Sequence, residues 1–127
     1  MSSAEWLKGE GTRREVLGTA HVDHATRSTT AFDRPFQDLI TASAWERVWS
    51  RPEISKRERS MITIALLAAH GHWDELAMHI KATRNTGATP EDVREALLHV
   101  AIYAGVPAAN QAIKVAKAAY KEMGIEV

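Results

Sequence analysis

The chain has 127 residues, of which 45% are hydrophobic and 25% are charged, as is typical of one soluble globular domain. Lysine plus arginine and aspartate plus glutamate both number 16, and this balance argues against a general nucleic-acid-binding protein, which usually has a basic excess. There is no cysteine, so disulfides, thiolate metal sites and cysteine-based catalysis are excluded.

No segment looks like a membrane or export signal. The opening MSSAEWLKGEG lacks the charged and then apolar pattern of a signal peptide. No apolar run approaches the roughly 18 residues that a membrane-spanning helix needs. We therefore expect a cytoplasmic protein with no membrane partner, formed by residues 1–127 as a single domain.

The first predicted helix covers residues 3–17. Ser3 can cap its start, and Gly18 is a plausible stop. The polar stretch 21–30, HVDHATRSTT, is expected to form a helical turn or a loop.

A second helix is predicted to begin after Asp33 and to end before Pro52. Trp45 and Trp49 are four residues apart on one stripe, which is more typical of a core than of a pocket wall. The neighbouring stripe has the three- and four-residue spacing of an apolar helix face, and we expect it to be buried; its members are Phe36, Leu39, Ile40, Ala44 and Val48.

A third helix is predicted to begin with the S-x-x-E capping box of Ser55 and Glu58. It is apolar nearly all round from Met61 to Ala69, so we expect it to be the buried helix.

Three more helices are predicted, at about 73–86, 89–104 and 108–123, with glycine after each one. The middle helix has a clear start, since Thr89 can cap it and Pro90 suits its first position. No segment alternates with a period of two. The sequence therefore predicts an all-α fold of about six helices.

Glu75 and His79 are the clearest candidates for chemistry. They are four residues apart and share a helix face, with His72 three residues before Glu75. A carboxylate and an imidazole beside an apolar surface can transfer a proton. The structural alternatives are a histidine satisfied by a neighbouring helix and a surface pair worth only about 0.2–0.5 kcal/mol.

Six short motifs extend over most of the chain: RREVLGTAHV at 13–22, AWERVWSRP at 44–52, RS at 59–60, ELAMH at 75–79, GATPE at 87–91 and YAGVP at 103–107. In combination they resemble the carboxymuconolactone decarboxylase family, which also contains the alkyl hydroperoxidase-like proteins. The resemblance implies a helical bundle of the alkyl hydroperoxidase-like type, assembled into a ring-like homo-oligomer, commonly a hexamer.

The hydroperoxidase branch of that family has a Cys-x-x-Cys-x-x-x-His motif on the corresponding helix. If His79 matches its histidine, Glu75 replaces the second cysteine and His72 the first. The resemblance therefore implies no cysteine-dependent peroxidase activity.

The activity implied by the resemblance is the cofactor-free decarboxylation of 4-carboxymuconolactone to 3-oxoadipate enol-lactone, in the protocatechuate branch of aromatic catabolism. The partner is then a small lactone dicarboxylate. Two alternatives remain open. One is an enzyme of the same fold that acts on another small lactone or keto acid; the other is a non-catalytic helical oligomer that binds a small ligand or partner.

The resemblance also implies roles for individual residues. His79 would donate a proton, and Glu75 would orient His79 or move the proton. Arginine suits the two carboxylates of the substrate, and Arg51 and Arg59 lie in motif positions near the central helix. Two further candidates in the N-terminal motif could reach the site of a neighbouring subunit: Arg13 and His21.

A zinc site is the alternative reading of the same helix. His70, His72, Glu75 and His79 have the side-chain chemistry of zinc ligands, although their spacing is not that of the H-E-x-x-H hydrolases. The implied reaction needs no metal, so we expect none.

Overall fold

The structure is a computed structural model that describes residues 3–127. Within this range it has seven α-helices, one π-helical segment and no strand, which confirms the predicted all-α class. The chain divides into two compact units, of which the first ends at Ser55 and the second extends from Lys56 to Val127. The single domain expected for residues 1–127 stays a prediction.

The first unit contains α1 (Ala4–Leu17), α2 (Thr19–Ser28) and α3 (Arg34–Ile40), and α3 continues directly into a π-helical segment, Thr41–Trp49. The predicted start of α1 is confirmed, because the Ser3 side chain accepts a hydrogen bond from the backbone of the first turn. The cap at Ser3 and the glycine at position 18 were therefore sufficient to predict both ends of α1.

The prediction for residues 21–30 was wrong in that most of them belong to α2, which brings the number of α-helices to seven. Only Val22 is buried along α2, so the sequence has no apolar periodicity that could reveal the helix. Packing on α1 stabilises it instead: Val16 and Val22 are both buried, and the Arg14 guanidinium bonds to Asp23 at 2.8 Å.

The predicted apolar face of the second helix was also wrong. The buried residues of the π-helical segment are Thr41, Trp45 and Trp49, which confirms that the two tryptophans are core residues, with ring centroids 5.4 Å apart. α3, which carries Phe36 and Leu39, has no fully buried residue. The five-residue hydrogen bonding of the following segment is not anticipated by a pattern based on 3.6 residues per turn. Members of the expected face are exposed instead, among them Phe36, Leu39 and Val48.

Gly9 allows α1 to approach the π-helical segment closely. A Cβ atom at this position would lie 2.0 Å from the carbonyl oxygen of Thr41 and 3.2 Å from the Cβ atom of Glu46. Gly11, one half-turn further along α1, would meet nothing within 4 Å. Gly9 is therefore a packing residue, and Gly11 is not.

The second unit contains α4 (Lys56–His70), α5 (Trp73–Thr86), α6 (Pro90–Tyr103) and α7 (Val106–Glu122). The predicted helices correspond to these four, except that α7 begins two residues earlier than expected. Gly87 follows α5 in the left-handed conformation, as a glycine after a helix commonly does.

α4 is less buried than predicted. Only Ser60, Ile64 and Ala68 are fully covered, whereas Ile62 and Leu66 are about half exposed, at 53% and 54%. The other three helices of the unit cover one side of α4, so an all-round apolar sequence is only partly buried within the chain. The core combines Ile64 with further residues: Leu76, Ile80, Val93, Leu97, Val100, Ala109, Ala112, Ala116, Ala119 and Tyr120.

A charged corner joins the beginnings of α4 and α6. Thr89 and Asp92 form a capping box, and Arg57 bonds both carboxylate oxygens of Asp92 at 2.7 and 2.6 Å. The Arg57 guanidinium, together with the Thr89 backbone amide, holds the pKa of Asp92 well below its usual range. The predicted start of α6 is confirmed.

The two glycines of α1 should respond oppositely to alanine. Gly9→Ala should lower the free energy of unfolding by about 1–3 kcal/mol, because the new methyl group overlaps the Thr41 carbonyl. Gly11→Ala should raise it by up to about 1 kcal/mol, since alanine has the higher helix propensity. Urea unfolding of both variants measures this, and equal shifts would contradict the close approach at Gly9.

Candidate functional site

α5 carries the proton-transfer candidates. Its first turn contains Asp74 and Glu75, whose charges suit the positive end of the helix dipole. Glu75 is exposed, whereas His79, one turn later, is only 6% exposed. The helical spacing gives the two side chains one face, with the carboxylate in water and the imidazole in the protein interior.

The burial of His79 follows from the packing of its neighbours. Leu76 and Ile80 are fully buried in the core of the second unit, and His79 lies between them in sequence on the same inward-facing part of α5. Thr83 continues this face, and its hydroxyl donates to the Ile80 carbonyl oxygen at 2.5 Å. α5 therefore combines two apolar anchors with a short polar stretch.

The two arginines expected to bind substrate have different surroundings. Arg59 lies in the first turn of α4 and is partly buried. Arg51 follows the π-helical segment and is exposed, and its guanidinium is 3.6 Å from the Glu53 carboxylate. An exposed pair of this kind contributes little to stability.

Arg13 is fixed by a residue that the sequence analysis missed. Its Nη1 atom donates to the Gln37 side-chain oxygen at 3.2 Å, across 24 positions of sequence. The pKa of Arg13 is lowered mainly because its guanidinium is partly buried. Only packing creates the contact with Gln37, so no sequence spacing could have indicated it.

His21 lies on α2 within the electrostatic field of Arg13. Loss of hydration lowers the pKa of His21, and the positive charges of Arg13 and His24 lower it further. Of the six predicted site residues, Arg13, His21 and Arg51 belong to the first unit. Arg59, Glu75 and His79 belong to the second unit, where Glu75 and His79 share one helix face.

The remaining histidines of the second unit are on its surface. His70 and His72 stack with ring centroids 6.0 Å apart, and His99 stacks on Tyr103 at 6.3 Å. Among residues 3–127, no three His, Asp or Glu side chains are grouped closely enough to hold a metal ion. The four residues considered for zinc therefore do not converge on one point.

Concave regions of the described residues lie away from Glu75 and His79. A groove of about 460 Å³ between α6, α7 and the C-terminal residues is mainly apolar. A smaller cavity of about 50 Å³ in the first unit is lined by both polar and apolar residues, among them Arg13 and Gln37. Glu75 and His79 line neither of them.

No helix within residues 3–127 combines the length and the apolar character that crossing a membrane requires.

Comparison with known proteins gives the family. Residues 34–118 match the sequence model of the carboxymuconolactone decarboxylase family. The chain is 42% identical over 120 residues to 4-carboxymuconolactone decarboxylase from Acinetobacter baylyi, covering 94% of this chain and 90% of that protein. It is 39% identical over 116 residues to nitrosuccinic acid decarboxylase npaB from Metarhizium robertsii, covering 91% and 81%.

Both relatives are named decarboxylases, which confirms the expected enzyme class, a carboxy-lyase acting on a small molecule. The family match covers α3, the π-helical segment, α4, α5, α6 and most of α7, so it includes the helix that carries Glu75 and His79. The resemblance inferred from the motifs is confirmed: the chain belongs to the carboxymuconolactone decarboxylase family.

Proposed function

We propose that the chain decarboxylates 4-carboxymuconolactone to 3-oxoadipate enol-lactone and CO2, in the protocatechuate branch of aromatic catabolism. The observation that carries the proposal is the 42% identity, over 94% of the chain, to the Acinetobacter baylyi enzyme named for that substrate. The position of a buried imidazole one turn from an exposed carboxylate also supports it, since this reaction ends with a proton transfer to carbon.

The substrate itself can hold the electrons that decarboxylation releases. When the bond to the ring carboxylate breaks, CO2 leaves and the electron pair moves through the ring double bond into the lactone carbonyl, giving a dienolate. A proton added to the ring carbon beside that carbonyl then forms the enol-lactone. This electron sink is the reason for proposing a reaction without cofactor or metal.

In this reaction His79 is the proton donor, either to the lactone oxygen or to the ring carbon. Histidine suits the task because its usual pKa lies near neutral pH. Its burial shields the imidazole from bulk water, and the exposed Glu75 on the preceding turn would orient the ring or pass a proton from solvent.

The two substrate carboxylates require positive charge. We assign this role to Arg51 and Arg59, with Arg13 and His21 as further ligands. The planar guanidinium can form two parallel hydrogen bonds to a carboxylate. The exposure of Arg51 and the partial burial of Arg59 and Arg13 are compatible with this assignment.

Nitrosuccinate is a second candidate substrate, favoured by the 39% identity to the Metarhizium robertsii enzyme named for it. Its nitro group would accept the electrons of the broken bond as the lactone carbonyl does, and it also has two carboxylates. The same proton donor and cations could therefore serve either substrate.

We also propose a homo-oligomer, expected to be a hexamer. Large apolar side chains are unusually exposed in both units: Phe32 at 95%, Tyr103 at 85% and Ile102 at 77%. Large apolar side chains that are this exposed are candidates for an interface, and most soluble oligomers are symmetric assemblies of one chain.

The first experiment measures CO2 release from enzymatically generated 4-carboxymuconolactone in the presence of a chelator. We expect release with 3-oxoadipate enol-lactone as the product, since the substrate supplies the electron sink. Nitrosuccinate is tested in parallel. Turnover of nitrosuccinate alone would replace the lactone by the second candidate, and loss of turnover with chelator would contradict the cofactor-free reaction.

Variants should separate proton transfer from binding. His79→Gln should lower kcat by about 10²–10⁴-fold, the usual contribution of a positioned acid. Arg51→Gln and Arg59→Gln should mainly raise KM, by about tenfold or more, because each removes a charged hydrogen bond.

The matched control for these variants is Arg47→Gln, because Arg47 is an exposed arginine paired with Glu5 at 3.0 Å. It should leave both kinetic constants unchanged. Unchanged turnover in a folded His79→Gln variant would remove His79 from the mechanism.

Phe32→Ser should shift the protein towards smaller assemblies, because a nearly fully exposed phenylalanine contributes little to its own subunit. Size-exclusion chromatography with light scattering measures the mass, and circular dichroism should remain unchanged. An unaltered mass would mean that the assembly does not use this side chain.

A further inference from the structure

The groove between α6, α7 and the C-terminal residues, called here the α6–α7 groove, is a concave apolar surface of the second unit. Buried side chains of both helices line it, among them Leu97, Ala116 and Tyr120. Leu98 of α6 and Ile113 of α7 also line it, and each is about half exposed. The single chain therefore leaves apolar surface of this groove in contact with water.

The side chains that follow the groove along the same two helices project from the surface. Ile102 lies one turn after Leu98 on α6, and Val106 lies two turns before Ile113 on α7, so each continues a stripe that borders the groove. Ile102 and Val106 are far more exposed than the groove residues, at 77% and 68%. A concave apolar region and a projecting apolar region thus lie side by side.

The charged residues of the groove have both signs. Glu91 and Glu126 line it together with Arg94 and Lys117. Within residues 3–127, Lys117 and Glu126 form no ion pair, whereas Arg94 pairs with its neighbour in sequence. A strongly acidic or strongly basic partner would place like charges against some of these groups. A surface that has the same mixture of charges avoids this, and a second copy of this chain, whose formal net charge is zero, presents such a surface.

We propose that a second copy of the chain docks on the α6–α7 groove about a two-fold axis, with Ile102 of each copy packed against Leu98 and Ile113 of the other. A groove and a projection side by side are complementary to themselves after a two-fold rotation, because each copy supplies the projection that fills the other groove. Both exposed apolar regions are then covered by one contact.

This inference rests on the homo-oligomer proposed above and names a surface through which it assembles. It does not depend on the proposed reaction. A hexamer built from such pairs needs a second, different interface, for which the exposed Phe32 of the first unit is available.

Two variants test the two halves of the contact: Ile102→Glu alters the projection, and Ile113→Lys alters the groove. In a two-fold pair, each variant buries two charges without partners, which is strongly unfavourable. The mass of the assembly should therefore fall to about half, because every such pair separates. Size-exclusion chromatography with light scattering measures the mass. Circular dichroism should remain unchanged, since both side chains are exposed in the single chain.

The matched control is Gln111→Glu, which adds the same charge as Ile102→Glu. Gln111 is exposed on a different face of α7 from Ile113. This variant should keep the mass of the original protein. A fall in mass with Gln111→Glu as well would indicate a general effect of added charge and would contradict the proposed surface.

Mixing the two charged variants gives the sharper test. In a mixed pair, one contact joins the introduced glutamate to the introduced lysine, and the other contact keeps both isoleucines. The mixture should therefore recover the mass of the original protein, which neither variant reaches alone.

An unchanged mass in both variants, or a mixture that stays dissociated, would overturn the proposal, and the groove would then be assigned to a small apolar ligand or to another protein. An odd number of copies in the original protein, including a single copy, would overturn the two-fold arrangement.

The mass measurement is independent of turnover. Recovery of mass in the mixture without release of CO2 from 4-carboxymuconolactone by the original protein would support the interface and contradict the proposed reaction. Release of CO2 by the original protein, together with an unchanged mass in both variants, would support the reaction and overturn the interface.

Discussion

The burial of Leu76 and Ile80 is the constraint on which the candidate chemistry depends. These two side chains anchor α5 in the core of the second unit, and a helix so anchored can present only one face inwards. His79 belongs to that face and Glu75 to its solvent edge. The position of the imidazole is thus a consequence of hydrophobic packing, which is also what makes it costly to shift.

Chemical markers in the sequence were sufficient to place most of the helices. α5 and α6 have acids in their first turns, and Gly87 and the Thr89–Pro90 pair mark their shared boundary. α2 could not be predicted from an apolar pattern, because only Val22 is buried along it. The π-helical segment was missed for another reason, since a pattern search assumes the spacing of an α-helix.

Only those parts of the candidate site that depend on residues close together in sequence could be predicted. The shared face of Glu75 and His79 follows from a four-residue spacing once a helix is assumed. The contact between Arg13 and Gln37 depends on the packing of α1 against its neighbours, and no spacing contains that information. Gly9 is a similar case, because its role is visible only beside the Thr41 carbonyl.

The charged corner of Arg57, Thr89 and Asp92 has a consequence for acid tolerance. Because the folded state lowers the pKa of Asp92, the carboxylate stays ionised at pH values where an ordinary aspartate takes up a proton. Its stabilising effect is complete above the unfolded pKa and declines only as pH falls towards the folded value. The ion pair between the beginnings of α4 and α6 should therefore persist under mild acidification that would protonate an aspartate with an ordinary pKa.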